Sequence, residues 1–240
     1  MPLPLDKKST VEQIRQHFDA DVERFSQLET GQQTAMDATL ILDMVGQAAA
    51  ANLRPQGKLL DIGCGAGNFT LRVLGRISPL DCVLADLSQP MLDRARQRVS
   101  AANAGRVQTL QSDMRQLSFA PDSFDVILAG QTLHHLRDDD DWRKMFKRLH
   151  QWLQPGGMLF VADYTAFDDP AIQKLMMARY AGHLETLGGA ALRDRVFAHC
   201  EVEDSPRSVK FQLDLLRQTG FQDYDLLHRN SVFAAFYARK

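Results

Sequence analysis

The stretch LLDIGCGAGNFTLRVL, residues 59–74, places three glycines at every second position between an apolar run and an amphipathic segment. This pattern predicts a strand over 58–62, a tight loop, and a helix over 68–76. Glycine costs backbone entropy in such a loop, but it lets the backbone approach a bound molecule closely. The loop is therefore a candidate ligand site.

The composition excludes several kinds of protein. The chain has 240 residues, of which 45% are hydrophobic and 24% charged, and its formal net charge is −2. This length fits one large domain, or one domain with an insertion. Because the chain has no strongly basic balance with which to grip phosphates, the composition argues against a nucleic-acid partner.

The cysteines and the apolar stretches point to a cytoplasmic protein. The three cysteines, Cys64, Cys82 and Cys200, are odd in number and widely spaced, which fits neither a disulfide framework nor a zinc motif. No secretory signal pattern stands at the beginning of the sequence. The longest apolar stretch, residues 40–53, is too short and too polar to span a bilayer, so we expect no membrane partner.

A strand–helix alternation extends from the glycine-rich stretch to residue 163. Short apolar strands separated by helices are typical of a parallel sheet covered on both faces, the α/β class. Further strands are predicted at 82–86, 107–111, 124–130 and 158–163, and further helices at 10–28, 34–53, 90–101, 140–153 and 209–219. Two closing strands, YDLLHRN (224–230) and VFAAFYARK (232–240), have so short a connection that they must be antiparallel, which predicts one reversed strand at the end of the sheet.

The alternation also predicts how the chain is organised. We expect an N-terminal helical segment over 1–56, a ligand-binding core over 57–165, a helical insertion over 166–204, and a last helix and strand pair over 205–240. The insertion is the one part that interrupts the strand–helix rhythm. It is therefore a candidate lid over the core.

Two acids follow the loop at later strand ends. Asp86 closes the second predicted strand and Asp113 follows the third. In an open α/β sheet, ligands bind beyond the carboxyl ends of the strands. A carboxylate at Asp86 suits ribose hydroxyls, and one at Asp113 suits an adenine amino group. Together with the loop, they predict a nucleoside-type ligand.

The glycine spacing argues against a dinucleotide. The dinucleotide fingerprint is G-x-G-x-x-G, whereas this loop is G-x-G-x-G and has Asn68 at the place of the third fingerprint glycine. Asp61 stands just before the loop, where it would repel a pyrophosphate and attract an ammonium group. The local charge favours a zwitterionic, cationic ligand.

These motifs resemble those of the class I S-adenosylmethionine-dependent methyltransferases. The resemblance covers residues 57–163, through LDIGCGAGNFT, VLADLSQPMLDRAR, SDMRQLSF, SFDVILAGQTLHHL and LQPGGMLFVAD, and the final FAAFYARK also fits it. It implies a Rossmann-like three-layer sandwich with a mostly parallel seven-stranded sheet whose last strand is antiparallel. It also implies S-adenosylmethionine as cofactor, S-adenosylhomocysteine as product, and a small-molecule methyl acceptor.

The resemblance further implies which residues bind the cofactor. The acid before the loop and the loop backbone would hold the methionine part, the acid after strand two the ribose, and the residues around 113 the adenine. The residues at the end of strand four would flank the sulfonium. The implied set is Asp61, Gly63, Cys64, Gly65, Gly67, Asp86, Leu87, Met91, Asp113, Met114, Gly130 and Gln131.

His134 and Tyr164 are the candidate catalytic residues. Methyl transfer needs a base only where the acceptor must lose a proton. His134 follows strand four on the acceptor side, where it is either a base or a loop histidine bonded to backbone. Tyr164 follows strand five and is otherwise a core residue. No metal is expected, because no third and fourth ligands accompany the histidine pair His134–His135 at metal spacing.

Other predictions concern the acceptor and competing functions. Phe18 or Phe25 of the N-terminal helix would lie near the substrate, and Met176, Met177, Arg179, Tyr180 and His183 are candidates for an acceptor pocket. The tail EDSPRSVKFQLDLLRQTGF (203–221) is similar to carboxy-S-adenosylmethionine synthases, which need a cation, for which Arg193 and Arg195 are candidates. A cofactor-binding protein without catalysis is a further alternative. A homodimer through the insertion or the final strand is compatible with the sequence.

Overall fold

The computed structural model describes residues 3–27, 30–103 and 105–240, and its centre is a seven-stranded sheet of order β3-β2-β1-β4-β5-β7-β6. The strands are β1 (Lys58–Ile62), β2 (Asp81–Asp86), β3 (Val107–Gln111), β4 (Phe124–Gly130), β5 (Leu153–Tyr164), β6 (Asp223–Asn230) and β7 (Phe233–Arg239). The helices are α1 (Val11–Ala20), α2 (Val22–Phe25), α3 (Ala38–Ala51), α4 (Asn68–Leu74), α5 (Gln89–Ala102), α6 (Asp139–Trp152), α7 (Pro170–Glu203) and α8 (Val209–Thr219). The α/β class and the mostly parallel sheet predicted from the sequence are confirmed.

Side-chain caps fix where several helices begin. The hydroxyl of Ser88 accepts a hydrogen bond from the Met91 N–H at the start of α5. The carboxylate of Asp138 accepts from the N–H groups of Asp140 and Asp141 at the start of α6. Each cap satisfies backbone donors that the helix itself leaves unpaired. They place α5 and α6 directly after the loops that follow β2 and β4.

The core forms two layers, one on each face of the sheet. Alternate strand residues point to opposite faces, so Leu59 joins the cluster that holds residues of α3, α4 and α5, while Leu60 joins the cluster that holds residues of α6 and α8. Trp142 and Trp152 of α6 are fully covered in the second cluster. The molecule is thus the three-layer sandwich expected from the sequence.

The reversed strand is β7, the last strand of the chain, as predicted, but it lies inside the sheet and not at its end. It pairs antiparallel with both β5 and β6, so it lies inside the sheet and β6 forms the edge. A strand pair with a short connection can join a sheet through either member. Here the apolar β7 takes the buried position, and the more polar β6 takes the edge.

Two helical segments differ from their predicted bounds. The helix predicted over 10–28 is divided into α1 and α2, because Asp21 has a non-helical backbone, and its residue 28 lies outside the described residues. The long helix α7 bends at Gly188 and Gly189, whose backbone angles are not helical. None of the described helices is both long enough and apolar enough to cross a membrane.

Candidate functional site

The glycine loop adopts a backbone that few other residues tolerate. Gly63, Gly65 and Gly67 have φ angles of 63°, 50° and 84°. A Cβ on Gly63 would lie 2.1 Å from the Thr132 Oγ1, so this position has no room for a side chain. A Cβ on Gly65 would meet no protein atom within 4 Å. The loop therefore packs tightly on one side and is open on the other.

The open side of the loop faces a pocket at the point where the strand order reverses. In open α/β sheets this point, between β1 and β4, is where ligands bind. The space at this point, counted together with the open solvent at the pocket mouth, is about 1010 Å³. Its lining includes the predicted residues Gly63, Cys64, Gly65, Asp86, Leu87, Met91, Asp113, Met114, Gly130 and Gln131.

Asp86 is bound to the loop. Its carboxylate accepts hydrogen bonds from the Gly65 N–H at 2.8 Å and from the Ser88 N–H at 2.9 Å. Burial raises the pKa of this carboxyl, and the backbone hydrogen bonds oppose that rise. A carboxylate offers about four acceptor positions, so Asp86 retains capacity for a ligand's hydroxyl groups. It also couples the loop after β1 to the end of β2.

Asp113 lies across the pocket from the loop and is held by one arginine. Arg115 donates from its guanidinium to both carboxylate oxygens, at distances from 2.6 to 3.1 Å, and from its backbone N–H at 2.9 Å. Arg115 itself also lines the pocket. The pair fixes the carboxylate of Asp113 in one orientation before any ligand is bound.

Asp61 and Gly67 lie behind the pocket and are not among the described residues that line it. The Asp61 side chain is 1% exposed, and one of its oxygens accepts a hydrogen bond from the Thr70 hydroxyl at 2.7 Å. The other oxygen has no partner among the described residues. Burial raises the pKa of Asp61 to about 7. The strand alternation explains this place, since Asp61 points with Leu59 toward the α4 side of the sheet.

Replacing Asp61 by asparagine should change how stability depends on pH. The native carboxyl, with its pKa near 7, binds more protons between about pH 4 and pH 7 than the unfolded one, so wild-type stability falls as the pH rises through this window. Asp61→Asn removes the buried charge and should be more stable than the wild type by about 1–3 kcal/mol at pH 8, with little difference at pH 4. Urea unfolding at both pH values measures this. Asp168→Asn, at an exposed site, is the control, and parallel pH profiles of Asp61→Asn and wild type would contradict the expectation.

Neither candidate catalytic residue lines the pocket among the described residues. The Nδ1 of His134 lies 2.5 Å from an oxygen of Asp163, whose other oxygen accepts from the His134 backbone N–H at 3.0 Å. Burial lowers the pKa of His134, but the carboxylates of Asp163 and Asp204 more than offset this and raise it to about 9. Tyr164 is 8% exposed, and its hydroxyl contacts the Met177 sulfur at 3.6 Å. Both side chains are thus held by contacts outside this pocket, and their catalytic role stays a prediction.

Residues that the sequence did not assign to the cofactor complete the pocket. They include His135, Arg137, Thr132, Val11 and Ile14, and also the aromatic residues Phe18 and Phe25, which the sequence placed near the substrate. Burial lowers the pKa of His135 well below its ordinary value, so this imidazole is neutral. The Arg137 Nη2 donates to the Ser9 carbonyl, and its Nη1 has no partner among the described residues. The sequence signal for this role of Arg137 was a basic residue shortly after a histidine pair. The tertiary fold is what brings it to the pocket.

Residues 59–157 match the family model of the methyltransferase domain. This part of the chain is similar to a methyltransferase domain. S-adenosylmethionine is the cofactor of this family. The matched residues lie within the core predicted from the sequence, and they include β1 through β4 with the loops that face the pocket.

Curated proteins similar to this chain include carboxy-S-adenosyl-L-methionine synthases. The synthase of Klebsiella pneumoniae subsp. pneumoniae is 25% identical, over 83% of this chain and 81% of its own length. That of Trichodesmium erythraeum is 28% identical, over 79% and 75%. Among solved structures, the cyclopropane synthase MmaA2 of Mycobacterium tuberculosis superposes with a TM-score of 0.64 at 20% identity, over 92% of this chain and 79% of that one. This last likeness shows the fold alone.

The pocket fits S-adenosylmethionine in three respects. Gly65 leaves open space where a side chain would stand, so a ligand can contact the loop backbone. Asp86 keeps acceptor capacity for ribose hydroxyls. Leu87, Met91 and Met114 supply apolar surface for an adenine ring. The residues present therefore suit the cofactor of the family.

Proposed function

We propose that this chain transfers the methyl group of S-adenosylmethionine to a small-molecule acceptor by in-line displacement. The observation that carries the proposal is the hydrogen bond that the Gly65 N–H donates to the Asp86 carboxylate. Both residues line the pocket, so the loop and the acid form one continuous wall. When bound, the cofactor supplies an electrophilic methyl group on its sulfonium. The residues of the chain bind, orient and enclose the two reactants.

The cofactor residues divide the pocket by chemistry. Asp86 would accept hydrogen bonds from the ribose hydroxyls, and Asp113, fixed by Arg115, from the adenine amino group. Gly63 and Gly65 would give backbone contact to the methionine part. Gly130 and Gln131, at the end of β4, would lie beside the sulfonium. Asp61 would act on the ligand only through the loop above it, because its side chain is buried.

The acceptor side is formed by the N-terminal helices. Val11, Ile14, Phe18 and Phe25 of α1 and α2 give the pocket an apolar wall, which favours an acceptor with an apolar body. Such a wall also excludes water from the reacting atoms. Good alignment of reactants can contribute about 7–11 kcal/mol to catalysis without a base. An amine bound in its neutral form would need no proton transfer before attack.

A second candidate function is that of a carboxy-S-adenosyl-L-methionine synthase, as in the relatives. Such an enzyme must hold a carboxylate beside the cofactor's methyl group. The cations at the pocket are Arg115 and Arg137, whereas Arg193 pairs with Glu185 and Asp194 and Arg195 is exposed. Since the Arg137 Nη1 has no partner among the described residues, it is the group best placed to bind a carboxylate.

Calorimetry with defined ligands tests both functions. A methyltransferase should bind S-adenosylhomocysteine tightly and NADH not at all, and ligand at 100 times its Kd should add about 2.7 kcal/mol of stability. A synthase should bind carboxy-S-adenosyl-L-methionine at least about 10-fold more tightly than S-adenosylmethionine, which corresponds to about 1.4 kcal/mol of binding free energy. The substitution Arg137→Gln should abolish this preference. If none of the three S-adenosyl ligands binds, the proposal is contradicted.

A further inference from the structure

Three side chains from distant parts of the chain converge beside the pocket, which one of them, His135, also lines. His134 and His135 belong to the short turn that follows β4, and Asp204 follows the end of α7. The Ser205 N–H donates to the His134 carbonyl at 2.7 Å and so joins the two segments. One nitrogen of each histidine and one oxygen of Asp204 all lie within 4.8 Å of one another. His134 and Asp204 are buried.

We propose that His134, His135 and Asp204 bind a divalent transition-metal ion, and that zinc is the ion that fits the arrangement. Two imidazoles and a carboxylate are ligands that zinc accepts, and three protein ligands with a fourth position for water are typical of open zinc sites. The sequence predicted no metal because no further ligands stand near the histidine pair. The third ligand comes from a residue 69 positions away from His135 along the chain.

The distances between the donor atoms support this assignment. The His135 Nδ1 lies 3.4 Å from the Asp204 Oδ1, and the His134 Nε2 lies 3.7 Å from the same oxygen. Neither is a hydrogen bond of ordinary length, which is about 2.7–3.2 Å. Two ligands of a tetrahedral zinc ion, at bond lengths of about 2.0–2.2 Å, are separated by about 3.3–3.6 Å. Two of the three separations are therefore close to those that an ion would need, and the third, between the two histidine nitrogens, is below 4.8 Å.

The orientation of His134 supports it independently. The Nδ1 of this ring faces the buried carboxylate of Asp163 at 2.5 Å, which leaves Nε2 to face Asp204. A carboxylate on the second nitrogen of a metal-binding histidine is a recurrent arrangement, because it fixes the ring and increases its basicity as a ligand. Asp163 is fully buried on β5 and would fix the ring of His134 in this way.

Two of the proposed ligand atoms have no other partner. The His135 Nδ1 and the Asp204 Oδ1 are buried and have no hydrogen bond among the described residues. Leaving such atoms unpaired costs about 1–3 kcal/mol each. A metal ion would satisfy both at once.

Among the described residues, the charged groups around the cluster are three carboxylates and two cations. The carboxylates of Asp163, Glu203 and Asp204 act electrostatically on His134, while Lys8 and Arg137 are cations that act on residues of the cluster. A neighbouring group, His17, His199 and Glu203, has a comparable set of donors. Its histidines are about three times as exposed as those of the first group, and His17 already forms a hydrogen bond with Glu203. The first group is the better enclosed, and the second provides a matched control.

The inference does not rest on the proposed function, and its test needs no S-adenosyl ligand. Untagged full-length protein is stripped with a chelator and titrated with Zn²⁺ in competition with a chromophoric chelator. We expect one zinc per chain, retained through gel filtration. Asp204→Asn and His135→Gln should each weaken zinc binding by at least about 100-fold. His199→Gln, in the neighbouring group, should leave the affinity within about 3-fold of wild type.

Further measurements separate ligation from folding. Circular dichroism and thermal melting of the metal-free variants show whether each has folded. If Asp204→Asn does not fold, the zinc affinity of His135→Gln decides the test. X-ray absorption of the wild-type zinc protein should show nitrogen and oxygen neighbours at about 2.0 Å and no sulfur. Failure of the wild type to bind zinc would overturn the proposal. Binding lost in His199→Gln but kept in Asp204→Asn would also overturn it, since the ion would then lie in the neighbouring group.

Discussion

Asp86→Asn is expected to weaken S-adenosylhomocysteine binding by at least about 100-fold, because hydrogen bonds to a charged acceptor contribute about 1.5–3 kcal/mol each. The amide nitrogen of asparagine cannot accept from a ribose hydroxyl or from the Gly65 and Ser88 N–H groups that the carboxylate now binds. The substitution should therefore affect both the ribose contact and the loop that carries the methionine part. Isothermal titration calorimetry measures the change in Kd.

The variant should remain folded, which makes the result interpretable. Burial raises the pKa of Asp86, so the charge is unfavourable in the free protein and its removal offsets part of the lost hydrogen bonding. Asp93→Asn, at an exposed position on α5, controls for the change of an acid to an amide nearby. A Kd within a few-fold of wild type in a folded Asp86→Asn protein would contradict the assignment of Asp86 to the ribose.

Gly63→Ala is expected to destabilise the protein by about 2–5 kcal/mol. The left-handed backbone, with φ of 63°, costs a non-glycine residue about 1–2 kcal/mol. The new Cβ would also lie 2.1 Å from the Thr132 Oγ1 and 2.5 Å from the Thr132 Cβ, and such overpacking costs about 1–3 kcal/mol. Urea unfolding measures the loss.

Gly65→Ala provides the matched comparison in the same loop. Its φ of 50° carries the same backbone cost, but its Cβ would meet nothing within 4 Å. The variant should lose no more than about 2 kcal/mol of stability. It should nevertheless bind S-adenosylhomocysteine at least about 10-fold more weakly, because the methyl group occupies the open side of the loop. Equal losses of stability in the two variants would contradict the steric argument, and unchanged affinity in Gly65→Ala would contradict the placement of the ligand.

The sequence predicted those parts of the fold and pocket that depend on local patterns. The glycines of the loop, Asp86 and Asp113 each stand at the end of a predicted parallel strand, and such strands end at one edge of the sheet. Their side chains or backbone accordingly line one pocket. For Asp61 the local pattern and the fold differ. Its position next to the loop predicts ligand contact, which stays a prediction, while the strand alternation turns its side chain toward Thr70 of α4.

The remaining parts depend on contacts between distant segments. Arg137 and His135 reach the pocket because the N-terminal helices and the turn after β4 enclose it together, and no short motif encodes that arrangement. Asp204 meets the histidine pair only because α7 returns its end to the sheet. Likewise, the short connection between β6 and β7 requires antiparallel pairing but does not decide which of the two strands joins β5.

The inner position of β7 bears on self-association. Both sides of β7 are occupied by neighbouring strands, so a second copy of the chain cannot extend the sheet through it, and the sheet edges are β3 and β6. An exposed edge is a template for aggregation unless charge or an irregular backbone prevents it. Strand β6 has both protections, with Asp223, Asp225 and Arg229 along it and a bulge between Leu226 and His228. By keeping its most apolar late strand away from the edge, the molecule limits the surface on which fibril-like stacking could begin.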